Sequence, residues 1–201
     1  MTLFEFDRQF DSEANLIVGI DEAGRGPLAG DVYAAAVVFD RETVIGGIND
    51  SKKLSPKKRE ALFDVIKDKA LSYSIATATV EEIEELNILE AAMLAMRRAY
   101  DGLGIDPDKA VALIDGNRSP KLPCRCQTII HGDALSQSIA AASVLAKVQR
   151  DRYMVELSEK YPEYQFEKHK GYGTKLHYEM IKKYGISEVH RRSFLKNLSE
   201  K

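Results

Sequence analysis

Apolar residues recur along the chain in short runs that predict five β-strands. The first run, residues 15–20, is rich in branched side chains, and a second apolar run follows at 31–40. Runs of this kind, bounded by polar and glycine-containing sequence, are typical of buried strands. The connection between the first two is short, which favours an antiparallel hairpin. Three further strands are predicted at residues 71–80, 110–115 and 126–131.

Segments with a three- to four-residue apolar repeat predict the helices. Residues 55–70 open with a serine cap followed by proline and place their apolar residues on one face. Residues 80–104 have a helical pattern that Asn87 can divide into two helices. A long helical region begins near Asp133, and many of its residues are small enough for close packing on a sheet. Two short helices are predicted near the end of the chain, over residues 174–185 and 187–198.

The order of these elements predicts an α/β fold with a mixed sheet. A chain of 201 residues with 44% hydrophobic content is ordinary for one compact domain, or for a domain with a small appendage. Strands and helices alternate up to about residue 163, and helices alone are predicted after it. We therefore expect a domain over residues 1–163 and a C-terminal helical segment over 164–201.

Cysteine usage and the first residues indicate a cytoplasmic protein. The two cysteines, Cys124 and Cys126, are too close together for a good structural disulfide and too few for a thiolate zinc site. We expect free thiols in a reducing compartment. The first 16 residues carry acids and no long apolar stretch, so neither a targeting peptide nor a membrane span is predicted.

The charge is nearly balanced overall but uneven along the chain. The net charge is −2, whereas basic residues cluster at 51–59, 168–170 and 190–192. A basic groove on an acidic protein is compatible with nucleic acid, because charges act mainly within a Debye length of about 8 Å. The alternative is that each cluster is a solvated helix face.

The stretch Gly24–Ala29, with the sequence GRGPLA, admits three interpretations. Its letters fit a dinucleotide-binding fingerprint, but such a turn must open a helix, and a strand is predicted here instead. A second interpretation is a hairpin turn with solvated Asp21, Glu22 and Arg25. The third is part of a metal site, because two carboxylates where a buried strand ends need a cation or another partner.

Other acids follow predicted strands in the same way. Asp115 ends the run 110–115, and Asp133 follows the run 126–131. Taken singly, Asp115 is explained by a turn and Asp133 by a helix N-cap. Adjacent strands are only about 4.8 Å apart, however, so such strand ends can converge on one site.

Converging carboxylates indicate hard divalent cations and phosphodiester hydrolysis. Oxygen ligands suit Mg²⁺ or Mn²⁺, and two such ions about 4 Å apart can activate water and stabilise the leaving oxygen. Asp21 and Glu22 are neighbours in sequence, so they can share such a site only if the strand ends or is distorted there. Gly24 makes that distortion plausible.

Six motifs in this order resemble those of ribonuclease HII, the bacterial type 2 ribonuclease H. They are DEAGRGPLAG, DSKKLS, IDGN, GDALSQSIAAASVLAKVQRD, HKGYGT and HRRSF. The resemblance implies a ribonuclease H-like fold, with a mixed five-stranded sheet flanked by helices and a C-terminal helical segment that completes the substrate groove. It implies cleavage of RNA in RNA/DNA hybrids and 5′ of single ribonucleotides in duplex DNA, leaving 3′-hydroxyl and 5′-phosphate ends.

The resemblance also assigns residues. It makes Asp21, Glu22, Asp115 and Asp133 the catalytic carboxylates that bind two divalent ions in the substrate complex. For Asp133 it leaves open whether the carboxylate binds metal directly before substrate is present. It makes the backbone of Gly24, Arg25 and Gly26 the reader of the 2′-hydroxyl, and glycines allow that close approach. It places Tyr172 against the sugar at the RNA-to-DNA junction. Candidate phosphate contacts are Lys52, Lys53, Lys147, Lys170 and Arg191.

Several alternatives and expectations accompany this assignment. For Tyr172 the alternative is a loop anchor, and for Lys147 it is a structural helix pair. His169 and His190 are expected to pack or form hydrogen bonds rather than act as bases. The competing functions are a type 3-like ribonuclease H without single-ribonucleotide activity and a non-catalytic hybrid-binding module. We expect a monomer, and no clear motif for a replication clamp is present in the tail.

Overall fold

The computed structural model describes residues 1–11 and 15–196. Its strands are β1 (Leu16–Ala23), β2 (Val32–Val38), β3 (Ser72–Ala78), β4 (Ala110–Asp115) and β5 (Arg125–Ile129). They form one sheet in the order β3-β2-β1-β4-β5. β1 and β2 are antiparallel, as are β2 and β3, whereas β4 runs parallel to both β1 and β5. The predicted mixed five-stranded sheet is therefore confirmed.

The helices begin and end largely where capping residues predict. They are α1 (Leu3–Arg8), α2 (Pro56–Lys69), α3 (Val80–Leu86), α4 (Ile88–Asp101), α5 (Gln137–Lys160), α6 (Phe166–His169) and α7 (Lys175–Tyr184). Ser55 caps α2 as predicted, accepting a bond from the N–H of Lys58. Asn87 has φ of 74° and separates α3 from α4, which confirms the predicted break. Within residues 1–11 and 15–196, no helix has the length and apolar character needed to cross a bilayer.

The two faces of the sheet are covered by different helices. α4 packs on the face that presents Val18 and Ile20, and α5 packs on the face that presents Ala35 and Val37. α5 approaches β1 so closely that a Cβ on Gly19 would lie 2.0 Å from the backbone carbon of Ser138. Glycine is therefore required at position 19, and this contact fixes the first turn of α5 against the strand that carries Asp21.

One alternative and one expectation about the helices are wrong. Asp133 does not cap α5, because it lies in the one-turn 3₁₀ helix Gly132–Ala134, and the cap is Ser136, whose hydroxyl accepts from the N–H of Ile139. The helix expected over 187–198 is absent from its described part, 187–196, which contains only the 3₁₀ turn Arg192–Phe194. Residues 197 and 198 lie outside the described residues.

Tertiary pairing explains the second of these errors. His190 forms a β-bridge with Ala29, and the neighbouring backbone bonds join Gly30 to Val189 and Arg191 to Leu28. An extended backbone is needed for those bonds, so the helical pattern of the sequence is overridden. The predicted free thiols are confirmed, since Cys124 and Cys126 are not joined by a disulfide.

Candidate active site

One cavity of about 240 Å³ is lined by most of the site residues that were predicted from the sequence. It lies where β1 ends, and its other walls come from the turn Ser51–Lys53, from α5 and from the loop before α7. The predicted residues in its wall are Asp21, Glu22, Gly24, Arg25, Gly26, Lys52, Lys147 and Tyr172. Five predicted residues of the described chain lie outside the wall: Asp115, Asp133, Lys53, Lys170 and Arg191.

Asp21 and Glu22 both face the cavity although they are neighbours in β1. The strand ends one residue later, at Ala23, and Gly24 has φ of 102°. The backbone N–H of Glu22 donates to Oδ1 of Asp21 over 2.7 Å. Both side chains therefore line one cavity where the strand ends, which is one of the two conditions for a shared site.

Asp115 and Asp133 are joined by a hydrogen bond beside this strand end. Oδ1 of Asp115 accepts bonds from the N–H groups of Gly132 and Asp133, over 2.7 and 3.4 Å. β4, which ends at Asp115, lies next to β1 in the sheet. The charge of Asp115 consequently acts on the other three carboxylates.

Burial and mutual repulsion raise the pKa of three of these acids. Burial is the largest cause of the strongly raised pKa of Asp21, followed by the charges of Glu22 and Asp115. Burial also raises the pKa of Glu22, although Arg25, whose Nη1 lies 3.3 Å from its Oε1, opposes the shift. The pKa of Asp133 is raised by burial and by Asp115 and Asp50, with Lys52 opposing. The acids thus destabilise one another at neutral pH.

This donor set fits hard divalent cations. The four carboxylates offer only oxygen ligands, as Mg²⁺ and Mn²⁺ prefer. The raised pKa values of Asp21, Glu22 and Asp133 indicate a deficit of positive charge that such ions would supply. Within residues 1–11 and 15–196, no three His, Cys, Asp or Glu side chains are already arranged around one point to hold a metal. The fit therefore rests on donor chemistry and electrostatics.

The turn that follows β1 is held from beneath by Arg191. This side chain is fully buried, and its guanidinium donates five hydrogen bonds of 2.6–3.0 Å to backbone carbonyls. The acceptors are the carbonyl oxygens of Gly24, Arg25, Pro27 and Gly30. The expectation that Arg191 contacts phosphate is therefore wrong, because all of its donor nitrogens are used inside the protein.

Arg150 of α5 completes this support and was not singled out by the sequence. It is buried and donates to the carbonyl oxygens of Asp31, Lys170 and Ala29. A Cβ on Gly24 would lie 2.1 Å from its Nε, so glycine is required where the turn crosses this guanidinium. Ser143, Lys147 and Arg150 are spaced along one face of α5, a pattern that could have identified Arg150 from the sequence.

The predicted lysine contacts differ in how freely they can meet a phosphate. Lys52 is 79% exposed and its Nζ lies 3.8 Å from Oδ2 of Asp133. Lys147 is paired with Asp151 over 2.6 Å, which is the helix pair that the sequence allowed as an alternative. Lys53 lies 3.9 Å from Asp50, and Nζ of Lys170 donates to the carbonyl of Glu167.

The turn that carries Lys52 is anchored by two serines that sequence reasoning missed. The hydroxyls of Ser51 and Ser143 lie 2.7 Å apart and are buried, which joins the turn to α5. Both serines also line the cavity. Nothing in the sequence pattern distinguishes them from other serines, because their pairing depends on tertiary contact.

Tyr172 lies in the cavity wall next to the Gly24–Gly26 turn. Its ring is 43% exposed, and its Cε1 is 3.6 Å from the point that a Cβ on Gly26 would occupy. The absence of a side chain at Gly26 therefore leaves room between the turn and the ring. This arrangement presents an aromatic face beside the glycine turn.

Comparison with known proteins shows one consistent similarity. Residues 18–197 match the family model described as Ribonuclease HII. The chain is 54% identical to the ribonuclease HII of Caldicellulosiruptor bescii, with 98% of each chain covered, and 59% identical to that of a Marinomonas species, with 90% of each covered. The crystal structure of the ribonuclease H2 from Pyrococcus horikoshii OT3 matches with a TM-score of 0.73 and 29% identity, over 89% of this chain and 93% of that one.

Proposed function

The chain belongs to the ribonuclease HII family and is therefore a ribonuclease H, and from this premise we propose that it also cuts 5′ of single ribonucleotides embedded in duplex DNA. The products carry 3′-hydroxyl and 5′-phosphate ends. The observation that carries this proposal is the single cavity in which Asp21 and Glu22 lie beside the Gly24–Gly26 turn and Tyr172. Carboxylates for chemistry and groups suited to reading a sugar are thereby within reach of one nucleotide. The resulting role is removal of ribonucleotides during DNA replication and repair.

Asp21, Glu22, Asp115 and Asp133 would hold two divalent ions, Mg²⁺ or Mn²⁺, in the substrate complex. Such ions supply an activated water and stabilise the leaving oxygen of the phosphodiester. Arg25, beside Glu22, and Lys52, beside Asp133, limit the repulsion between the carboxylates. No side chain of this chain is needed as a nucleophile.

The turn at Gly24–Gly26 would bind the ribose. Arg191 donates hydrogen bonds to the carbonyl oxygens of Gly24 and Arg25. In the described part of the chain, the N–H groups of Arg25 and Gly26 have no hydrogen-bond acceptor. Those donors suit a 2′-hydroxyl or a phosphate oxygen, and the 2′-hydroxyl is the group that distinguishes RNA from DNA. Lys52, exposed at the same cavity, suits the neighbouring backbone phosphate.

We propose that residues 164–201 complete the substrate groove. The described part of this segment supplies Tyr172 to the cavity, and it supplies Arg191 beneath the glycine turn. Ring contact with the sugar at the junction would place the DNA that follows the ribonucleotide along this segment.

Replacement of Tyr172 by alanine is expected to lower the preference for a single ribonucleotide over an all-RNA hybrid by about tenfold, since contacts of an aromatic ring with a nucleotide contribute about 1–3 kcal/mol. The metal concentration that gives half-maximal rate should not change. Tyr73→Ala is the matched control, because Tyr73 has a similar exposure, 37%, and lies on β3 at the sheet edge. An unchanged preference in Tyr172→Ala would remove the sensing role.

The proposed substrate is tested with three duplexes of one sequence. One carries a single ribonucleotide, one has an all-RNA strand, and one is all DNA, each incubated in Mg²⁺ and in Mn²⁺. Cleavage of the first two and not of the third is the expected result. If only the all-RNA hybrid is cut in both metals, the single-ribonucleotide activity is refuted, and the type 3-like alternative is supported.

A further inference from the structure

Three of the four histidines of the chain form a buried cluster behind the Tyr172 loop. They are His169, His177 and His190, with exposed fractions of 7%, 0% and 1%. The rings of His169 and His177 stack with centroids 4.3 Å apart, and Nε2 of His177 lies 3.1 Å from Nε2 of His190. A nitrogen–nitrogen contact of this length requires one nitrogen to donate and the other to accept.

The hydrogen-bond partners fix which nitrogen of each ring carries the proton. Nδ1 of His190 faces the backbone N–H of Ser187 over 3.0 Å and must accept from it, so the proton of His190 is on Nε2. Nδ1 of His177 faces the carbonyl oxygen of Tyr172 over 2.9 Å and must donate to it. Nε2 of His177 is then free of a proton and accepts from Nε2 of His190. The bonds therefore run in one direction, from Ser187 through His190 and His177 to Tyr172.

Two members of this relay are joined to parts of the proposed active site. The backbone of His190 is bridged to Ala29 in the loop that follows β1. At the last bond of the relay, His177 donates to the carbonyl oxygen of Tyr172, while the N–H of Tyr172 donates to the carbonyl of His169 over 2.9 Å. The relay thus connects the loop after β1 to Tyr172 in the cavity wall.

We propose that His190 and His177 are positioning residues that set the placement of Tyr172 relative to the glycine turn. This inference rests on the proposed role of Tyr172 in reading the junction. Neither histidine lines the cavity, so neither contacts substrate. They act through the tyrosine backbone, and the direction of the proton chain keeps that backbone in one conformation.

The relay requires neutral rings, which makes it sensitive to acid. An added proton on either histidine would set two N–H groups against each other, at Nε2 of the pair or between Nδ1 of His190 and the N–H of Ser187. The titratable and charged groups that face the two rings are His169 and Tyr164, with Glu167 and Lys170 beside His169. Burial lowers the pKa of both His177 and His190 to about 4. The relay is therefore intact at neutral pH and is lost as the pH falls through about 4.

Nitrogen chemical shifts of the histidine rings test the proton positions directly. In ¹⁵N NMR spectra of the wild-type protein at pH 7, we expect His177 to carry its proton on Nδ1 and His190 to carry its proton on Nε2. His169 should also be protonated on Nε2, because its Nε2 faces the carbonyl oxygen of Tyr164 and its Nδ1 accepts from the N–H of Gly171. Exposed neutral histidine is more often protonated on Nε2, so the ring ¹⁵N shifts of His177 should differ from those of the other histidines. If His177 is protonated on Nε2 or is charged at pH 7, the relay does not exist.

Two substitutions at one position test the effect on substrate choice. His177→Asn keeps an N–H near the position of Nδ1, whereas His177→Leu removes it. We expect His177→Leu to lower the preference for a single ribonucleotide over an all-RNA hybrid by about fivefold to tenfold, and His177→Asn to recover most of it. If both variants lose the same stability and neither changes the preference for a single ribonucleotide, His177 has only a structural role and the proposal is overturned.

The result for Tyr172 distinguishes failure of this inference from failure of the proposed function. If Tyr172→Ala changes the preference and His177→Leu does not, the relay is refuted and the sensing role stands. If the shifts show the expected proton positions while Tyr172→Ala leaves the preference unchanged, the sensing role is refuted, and with it the positioning role that depends on it.

Discussion

Replacement of Asp21 by asparagine is expected to abolish cleavage and, at the same time, to raise the stability of the protein at neutral pH. Loss of a charged ligand from the carboxylate site should lower the rate by about a thousandfold or more, because several kcal/mol of charge stabilisation are lost at about 1.4 kcal/mol per factor of ten. Duplex binding should be retained, since it depends on other residues.

The stability gain follows from the raised pKa of Asp21. Burial and the charges of Glu22 and Asp115 raise that pKa in the folded state, so the folded state binds the proton more tightly than the unfolded chain does. This unfavourable contribution is absent below the unfolded pKa and grows as the pH rises through the folded one. Removing the charge should therefore raise the free energy of unfolding at pH 7, where the wild-type protein carries this unfavourable contribution.

Two measurements on Asp21→Asn check this prediction. Thermal unfolding without divalent metal tests the gain of stability, and a parallel cleavage assay tests the loss of activity. The predicted gain should appear as a higher Tm for the variant than for the wild type. Asp68→Asn is the matched control, because it removes the same charge from the exposed face of α2 and should change neither quantity. A variant that cleaves normally, or one that is less stable than the wild type, would refute the electrostatic description of the site.

Replacement of Arg191 by methionine is expected to destabilise the protein by about 3–5 kcal/mol. The guanidinium is the donor to four carbonyl groups beneath the glycine turn. Leaving buried acceptors without partners costs about 1–3 kcal/mol each, and the loss is smaller than the sum because removing a buried charge offsets part of it. Activity of the folded fraction should also fall, since the turn is no longer held.

The neighbouring arginine provides the control. Arg192 is exposed, so Arg192→Met should leave the free energy of unfolding within about 0.5 kcal/mol of the wild-type value, as surface substitutions usually do. Urea unfolding of both variants measures the difference. If Arg191→Met unfolds like the wild type and only weakens the salt dependence of duplex binding, Arg191 is a phosphate contact and not a support of the turn.

The acids could be predicted from the sequence because strand ends are visible in it. Each of Asp21, Asp115 and Asp133 closely follows an apolar run, and parallel neighbours in a sheet bring such ends together. The break at Asn87 could also be predicted, since asparagine tolerates the positive φ that separates two helices. Local patterns were sufficient for these features.

The buried position of Arg191 and the pairing of His177 with His190 could not be predicted in the same way, although the expected packing and hydrogen bonding of His169 and His190 is confirmed. A basic residue in a charged segment has the sequence signature of a solvated or phosphate-binding side chain, and only the tertiary fold shows that Arg191 is buried. The helix expected over 187–198 failed for a related reason, because pairing of His190 with Ala29 requires an extended backbone. Long-range hydrogen bonds determine the burial of Arg191 and the extended backbone at His190, and such bonds are not visible in a local sequence pattern.

The chemical ends left on a duplex with one ribonucleotide test the central claim most directly. A cut 5′ of the ribonucleotide leaves a deoxyribose upstream, which has no 2′-hydroxyl to act as nucleophile, so water must attack at the carboxylate site. Mass spectrometry of the products in Mg²⁺ should show a 3′-hydroxyl on the upstream DNA and a 5′-phosphate on the ribonucleotide. A cut 3′ of the ribonucleotide that leaves a 2′,3′-cyclic phosphate would contradict this account.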